Sequence, residues 1–438
     1  MPTLSVCMIV KNEENCVERS LQSIQALADE IVIVDTGSTD ETLAICRRFT
    51  DKIFHFSWND DFSAARNFAL SNATSDWILF LDADEVIAEE DQQKIKKMIQ
   101  ASSSENTALA YFLHQKEYTN DTTLTGFYYC TKEDVYNKAF LGFVVVENAI
   151  RLFRRDKDIS FSWRIHESVA PSLEQRGVVP LDSGIFIHHY KQEKGKEAHQ
   201  QKMLRYLAIG EQQVQETPHL AKPYYEVGLI YYALGRYADA IAVFQKVISL
   251  RSDEHRAYYK LGRCFVKIGR FIDAQQAFEK YLTLDSQNSD VYGELGLLAI
   301  KQGNVRDAEL LLRKAVELNS GNILGRHNLS LLLLQLGRKE EGTAFLQETA
   351  HSFPNPFAYN TLGILSAREK DYVLACDYFE KGIACSGQTS EITKSLYMNL
   401  IQTYILLKDR KNAEQCLSRF KEIFPSSNTD FEKEIASL

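Results

Sequence analysis

Glycine and proline are scarce, 21 and 8 among 438 residues. That excludes collagen and low-complexity linkers and argues against a turn-rich all-β chain, so helix is expected to dominate. No run approaches the roughly 18 consecutive apolar residues of a membrane-spanning helix, so no membrane span is expected. A basic excess is also missing: 50 Lys and Arg stand against 59 Asp and Glu, a net charge of −9. Nucleic acid is therefore not an expected partner, because a phosphate-binding face needs clustered cations. The eight cysteines (Cys7, Cys16, Cys46, Cys130, Cys264, Cys376, Cys385 and Cys416) contain no C-x-x-C pair. They read as reduced, packed thiols and point to a cytoplasmic chain, not to a zinc site or a disulfide frame. The apolar start Met1–Val10 is short, lacks a basic lead and runs into Lys11, Asn12, Glu13 and Glu14, so it is not expected to be a secretory leader. What is present is ordinary for a folded protein: 45% apolar and 25% charged residues, in a length that suits two domains or one domain and an array.

The C-terminal half repeats. Gly228, Gly262 and Gly296 recur every 34 residues, as do Gly235, Gly269, Gly303 and Gly337, and Ala240, Ala274 and Ala308. Weaker copies follow at Leu329–Leu346, Tyr359–Ile383 and Tyr397–Phe420. Apolar residues at helical spacing, as at Tyr224, Val227, Tyr231 and Leu234, predict helix pairs. A glycine such as Gly235 then closes each first helix, and the small pair Gly228 and Ala240 lets two helices approach. With its period, small eighth position and Ala at the twentieth, the segment resembles the tetratricopeptide repeat, in about six copies over 220–425. Such solenoids present a concave surface, usually to peptides, while a plain stabilising or dimerising scaffold stays open; exposed ends allow a homodimer.

The first half alternates strand and helix patterns. "LSVCMIV", "EIVIVD", "KIFHF" and "WILFLD" read as strands, with helices expected over Glu13–Leu27, Thr39–Phe49 and Asp61–Ala73. This order predicts a mostly parallel sheet with helices on both faces. Ligands of such sheets sit beyond the carboxyl ends of the strands. Strand two ends in Asp35-Thr36-Gly37-Ser38-Thr39-Asp40. Asp35 could accept hydrogen bonds from a base or ribose, or could hold a capped turn. Strand four ends in Asp82-Ala83-Asp84-Glu85. On extended backbone Asp82 and Asp84 would point the same way and suit a hard divalent cation shared with phosphate, against the alternative of an acidic loop capping a helix near Glu89. Neither a P-loop nor a G-x-G-x-x-G fingerprint is present.

"VCMIVKNEE", "IVIVDTGSTDET", "WNDDFSAARNFAL" and "WILFLDADE" together resemble the nucleotide-sugar half of family 2 glycosyltransferases of the GT-A fold. The combination with repeats is similar to a bacterial subgroup that includes peptide S-glycosyltransferases of the sublancin type. The fold class this implies is an α/β GT-A domain, Rossmann-like with a mostly parallel sheet, followed by an all-α solenoid. The expected division is a transferase domain over 1–190, a helical linker over 191–219, repeats over 220–425 and a tail over 426–438.

By the resemblance, the backbone near Val10 and the side chain of Asp35 hold the uridine or other nucleoside, with Asn12 and Glu13 beside them. Arg66 and Asn67 border that pocket, Asp82 lies near the ribose, and Asp84 is on the metal, Mg2+ or Mn2+. For Arg66 an ion pair to Asp60 or Asp61 is the alternative. "AIRLFRRDKDISFSWRIHESV" resembles the subgroup's segment ending in His-Glu, where Arg151 and Arg154 alternate on a strand. There Glu167 is the candidate general base, or else a capping or ion-paired glutamate. "GIFIHHY" alternates as a strand, so His188 and His189 face opposite sides. His189 is a candidate metal or diphosphate ligand, or a packed residue, although Lys191 and Gln192 replace the Gly and Tyr of the subgroup's ending. Most aromatics of Tyr111–Val146 are expected in the core, some at the acceptor. The expected activity is metal-dependent, inverting transfer from a nucleotide sugar, a UDP-sugar, to a peptide, protein or saccharide. A non-catalytic peptide-binding scaffold and a sugar nucleotidyltransferase are the alternatives.

Overall fold

In a computed structural model of the chain the described residues are 1–101, 109–119, 127–130, 136, 140, 142–190, 196–352, 355–386, 391–425, 427 and 430–438. They form two compact units, Met1–Tyr118 with Val144–Gly269, and Thr119–Phe143 with Arg270–Leu438. The border therefore falls inside the repeats.

Uninterrupted apolar runs make the central strands of the first unit, because a sheet covered on both faces needs apolar residues at every position. They are β1 (Leu4–Val10), β2 (Glu30–Asp35), β3 (Ile53–His55) and β4 (Trp77–Phe80). After β4 come β5 (Glu85–Ile87), β6 (Ala110–Thr119), β7 (Phe127–Tyr129), β8 (Gly142–Arg154) and β9 (Leu181–His189). The main sheet order is β3-β2-β1-β4-β8-β6-β9-β5. β1 is parallel to β2 and β4, and β2 to β3, as expected. The far half is mixed: β8 runs antiparallel to β4, and β5 antiparallel to β9.

Helices cover both faces. Leu4, Val6, Met8, Ile33 and Leu79 point to a core with α1 (Val17–Ile24), α2 (Thr42–Cys46) and α4 (Glu89–Ala101). Cys7, Val32, Val34, Ile78 and Phe80 point the other way, onto α3 (Phe62–Asn72) and α5 (Ala170–Gln175). Cys7 is fully buried, the packed thiol expected of it.

At the amino ends of the strands Glu30 gathers Lys52, Ser5 and the Thr74 hydroxyl and amide. Burial alone would raise its pKa, but these donors bring it down to about 2. A carboxylate lowered in the folded state contributes stability above its unfolded pKa and loses it as pH falls through the folded one. Glu30→Gln is therefore expected to cost roughly 1–3 kcal/mol at pH 7 in chemical denaturation. The gap to the parent chain should close as pH falls from 4.5 towards 2.

The first unit continues with α6 (Lys196–Glu216), α7 (Ala221–Ala233), α8 (Tyr237–Leu250) and α9 (His255–Lys267). In the second unit the helices are α10 (Phe271–Leu284), α11 (Ser289–Lys301), α12 (Val305–Leu318), α13 (Ile323–Gln335), α14 (Lys339–Ser352), α15 (Pro356–Arg368), α16 (Tyr372–Ala384), α17 (Glu391–Leu406), α18 (Arg410–Ile423) and α19 (Phe431–Ala436). The closing glycines Gly235, Gly269, Gly303 and Gly337 all have φ between 72° and 78°. Lys370 (φ 68°) and Lys408 (φ 61°) take that left-handed place in the last two pairs. Close approach explains Gly363, where a Cβ would lie 2.5 Å from Phe379. Among the described residues no helix is long and apolar enough to cross a membrane.

Candidate active site

The parallel strands β1, β2 and β4 end on one edge, and three polar clusters stand there. In the first, Asp35 closes β2 opposite Val10 and is 1% exposed. Its Oδ1 accepts the Ser38 N–H at 2.9 Å, and its Oδ2 lies 3.0 Å from His55 Nδ1. Asn12 is left-handed (φ 55°), which turns its Oδ1 towards the Thr39 N–H at 2.8 Å. Glu13 donates its N–H to Thr42 Oγ1 at 2.7 Å. Val10, Asn12, Glu13 and Asp35 thus come together, but largely by tying two loops to each other. The Val10 carbonyl is already committed to the Thr36 N–H and hydroxyl, at 3.0 and 3.2 Å. The open rim of this cluster is Asn12, Gly37, Thr39 and His55.

The second cluster centres on Arg66. Asp61 caps α3 by accepting the Ala64 N–H, while Asp60 pairs with Arg205 at 3.0 Å. The alternative of an Arg66 pair to either aspartate is therefore corrected, since both are engaged elsewhere. Arg66 instead reaches under the sheet edge, 7% exposed, over the rings of Phe80 and Phe161. Its Nη2 donates to Asp82 at 2.9 Å and its Nε to Glu167. Its Nη1 is buried without a hydrogen-bond partner. Arg151 on β8 donates to the other Asp82 oxygen at 3.3 Å and to Glu85 at 3.0 Å. Glu85 is fully buried, also accepting from Gln115 and from the Asp82 N–H. Burial opposes ionisation of Asp82, yet Arg66 and Arg151 hold its carboxyl well below the usual range. At Glu85 burial wins over Arg151 and pushes the carboxyl up. Asn67 stands one position along α3, but its amide is spent on the N–H and C=O of Phe161, at 2.7 and 2.9 Å.

The third cluster corrects the expectation that Asp82 and Asp84 point the same way. The chain turns at Ala83–Asp84 into β5, and the two carboxylates take different partners, Asp82 the arginines and Asp84 His189. Asp84 Oδ2 lies 3.1 Å from His189 Nε2 on β9. The same imidazole has Glu117 of β6 opposite it in register, Oε1 lying 3.7 Å from Nδ1. Burial alone would lower the His189 pKa, but the two carboxylates bring it up to about 10. No group of three or more His, Cys, Asp or Glu that could hold a metal occurs among the described residues. Asp84 and His189 are the two donors that a divalent cation at this edge would meet, and His189 would have to give up its Nε2 proton to serve as one. The carboxylate is a suitable donor for Mg2+ or Mn2+ and the imidazole a softer one, while Glu117 lies beyond hydrogen-bond distance of the far ring nitrogen. His188 faces away, bonded to Tyr118 at 2.7 Å.

Sequence reasoning left out Arg151, Glu85, Glu117 and His55 from the site. Arg151 and Glu85 did carry a signal, a charge at a position whose strand neighbours Leu152 and Val86 are apolar. Tyr111, Phe112 and Tyr118 pack in the core as expected. Lys191, Gln192 and the side chains of Phe127, Tyr128 and Tyr129 lie outside the described residues.

Residues 5–160 match the profile of glycosyl transferase family 2, and residues 219–287 and 259–323 match tetratricopeptide-repeat profiles. A TPR repeat-containing protein of Synechococcus elongatus is 36% identical over 173 residues, 40% of this chain and 37% of that one. An uncharacterized glycosyltransferase of Rickettsia conorii is 31% identical over 172 residues, 37% of this chain and 58% of the other. The prophage-derived glycosyltransferase SunS of Bacillus subtilis is 39% identical over 99 residues, 22% of this chain and 24% of SunS. In each case the chain spans less than two thirds of the relative. Among solved structures, YrrB, a TPR protein with an unusual peptide-binding site, is 24% identical with a TM-score of 0.33, over 40% of this chain and 91% of YrrB. PilF of Pseudomonas aeruginosa is 21% identical with a TM-score of 0.41, over 50% and 97%. The chain therefore joins a glycosyl transferase family 2 domain to an array of tetratricopeptide repeats.

Proposed function

We propose that the chain is an inverting glycosyltransferase that moves a sugar from a nucleotide-sugar donor, a UDP-sugar, to a peptide, protein or saccharide acceptor. The observation that carries this reading is the meeting of three polar clusters at one sheet edge: a partly open rim around Asp35, a buried guanidinium at Arg66 and the paired side chains of Asp84 and His189.

The nucleoside lies along Asn12, Asp35 and His55. Arg66 offers its free Nη1 hydrogen to an anionic oxygen of the donor, while its Nη2 fixes Asp82 beside the ribose. Glu167, oriented by Arg66, accepts the proton of the attacking acceptor group, which adds to the anomeric carbon as the diphosphate leaves from the opposite face. When bound by Asp84 and His189, Mg2+ or Mn2+ supplies positive charge against the charge gathering on the leaving diphosphate. The repeats hold the acceptor or a protein partner.

The test is calorimetry with UDP and Mn2+, followed by mass spectrometry of acceptor mixtures incubated with a panel of nucleotide sugars. Metal-dependent heat and a mass increase of one glycosyl unit are expected. No heat with any nucleotide would leave a peptide-binding scaffold, and diphosphate release from a nucleoside triphosphate would mark a nucleotidyltransferase.

A further inference from the structure

We propose that the first repeat and the helix before it are working parts of the transferase site: Glu226 on α7 and Gly210 on α6 are positioning residues for the loop that presents Glu167 to Arg66. The inference rests on the reading of Glu167 and Arg66 given above.

The loop cannot hold its own shape. Ser162 and Ser168 close it with one antiparallel bridge. Between them Trp163 (φ 80°) and His166 (φ 50°) are both left-handed without being glycine, a conformation that persists only where surroundings impose it. The imposing contacts come from two directions. From α3, Phe62 donates its N–H to the Arg164 carbonyl at 2.9 Å. Further contacts come from α6 and α7. The Arg164 N–H donates to Gln213 at 2.7 Å and its guanidinium pairs with Glu216. Ile165 is 3% exposed, in one cluster with Leu207, Val227 and Ile230. Gly210 makes that approach possible, since a Cβ there would lie 2.8 Å from Val227 and 3.3 Å from Ile165.

His166 then points its Nδ1 at Glu226, 2.7 Å away, and its carbonyl accepts from Lys222 at 3.1 Å. The Lys222 ammonium also sits 5.2 Å from the centre of the Trp163 ring. So the residue before Glu167 is anchored by α7, and the next side chain along is the one that meets Arg66. A carboxylate whose backbone is fixed on one side by a repeat helix, and whose head is fixed on the other by a buried arginine, has little freedom left. Displacement by an ångström is enough to slow a positioned proton acceptor about a hundredfold.

The test uses the full chain with Glu226→Gln, Gly210→Ala, Glu167→Gln and the double Glu226→Gln/Glu167→Gln. Three quantities are read: UDP release from UDP-glucose, UDP-galactose and UDP-N-acetylglucosamine with Mn2+, the affinity for UDP, and amide exchange of the peptide containing residues 162–168. Glu226→Gln should lower kcat about ten- to a hundredfold with KM for the donor unchanged, and the double variant should be no slower than Glu167→Gln alone. Loop exchange should speed up in Glu226→Gln and in Gly210→Ala, whether or not any sugar is turned over. If the parent chain releases no UDP from these donors, the transferase reading is what fails, and the exchange result decides the positioning claim. If Glu167→Gln weakens UDP binding and leaves turnover intact, Glu167 is a binding residue, and Glu226→Gln must then reproduce that weakening. Unchanged loop exchange in Glu226→Gln, or losses that multiply in the double variant, would overturn the proposal.

Discussion

Arg151→Met is expected to destabilise the first unit by about 3–5 kcal/mol, the cost of leaving the buried Glu85 carboxyl without its cation. Glu85 has no exposure at all, and one of its oxygens depends on Arg151 and Gln115. One Asp82 oxygen depends on Arg151 as well. Methionine fills much of the volume and adds no charge, so the loss reports electrostatics more than packing. The variant has one cheap escape, protonation of Glu85, which burial already favours. A carboxyl whose folded pKa lies above its unfolded one is most stable when protonated and loses that stability as pH rises. The deficit of Arg151→Met should accordingly shrink as the solution is made mildly acidic. Adding Glu85→Gln should recover more than half of it at pH 7. Urea titrations monitored by the three tryptophans would show both effects, because Trp58, Trp77 and Trp163 all lie in the first unit. Unfolding of Arg151→Met within about 1 kcal/mol of the parent chain would mean that Glu85 is not held by this cation.

How far this cluster could be read from the sequence depends on how local each partner is. The parallel strands were legible because alternate residues of β1, β2 and β4 feed two separate apolar cores, a pattern written in consecutive positions. The repeats were legible because the spacing of Gly235, Gly269, Gly303 and Gly337 marks the same backbone conformation each time. The last two copies were weaker for a physical reason: lysines at 370 and 408 adopt that conformation and hide the period. Asp35 was placed at the edge by its strand. The partners of Asp82 and Asp84 were not legible. Arg66 precedes Asp82 by 16 residues on α3, while Arg151 and His189 arrive on β8 and β9, more than 65 residues later, through antiparallel pairing that no short motif encodes. The assumption of extended backbone after β4 also failed, because the chain turns there to begin β5.

That difference in partners sharpens the prediction for Asp84. If Asp82 and Asp84 shared one cation, removing either would have the same consequence. As placed, Asp82 serves the arginines and Asp84 serves His189. Asp84→Ala should cut UDP release from the donor on the order of 10²–10³-fold, the usual loss when a charge-stabilising group is removed from a leaving-group site. Calorimetry should show Mn2+-dependent heat lost while UDP alone still binds, because Asp35, Asn12 and His55 belong to a different cluster. A moderate loss of stability should accompany the substitution, because Asp84 is one of the carboxylates that raise the His189 pKa, and the imidazole is only 14% exposed. In binding, Asp82→Asn should behave in the opposite way. It leaves Arg66 and Arg151 sharing one neutral amide, so it should lower the unfolding midpoint and weaken donor binding while Mn2+-dependent heat persists. His189→Gln should side with Asp84→Ala. Were Asp84→Ala to retain near-parental turnover, the cation would have to be sought away from Asp84 and His189. Were Asp82→Asn and Asp84→Ala indistinguishable in both metal and UDP binding, the division of the two aspartates between separate clusters would be wrong.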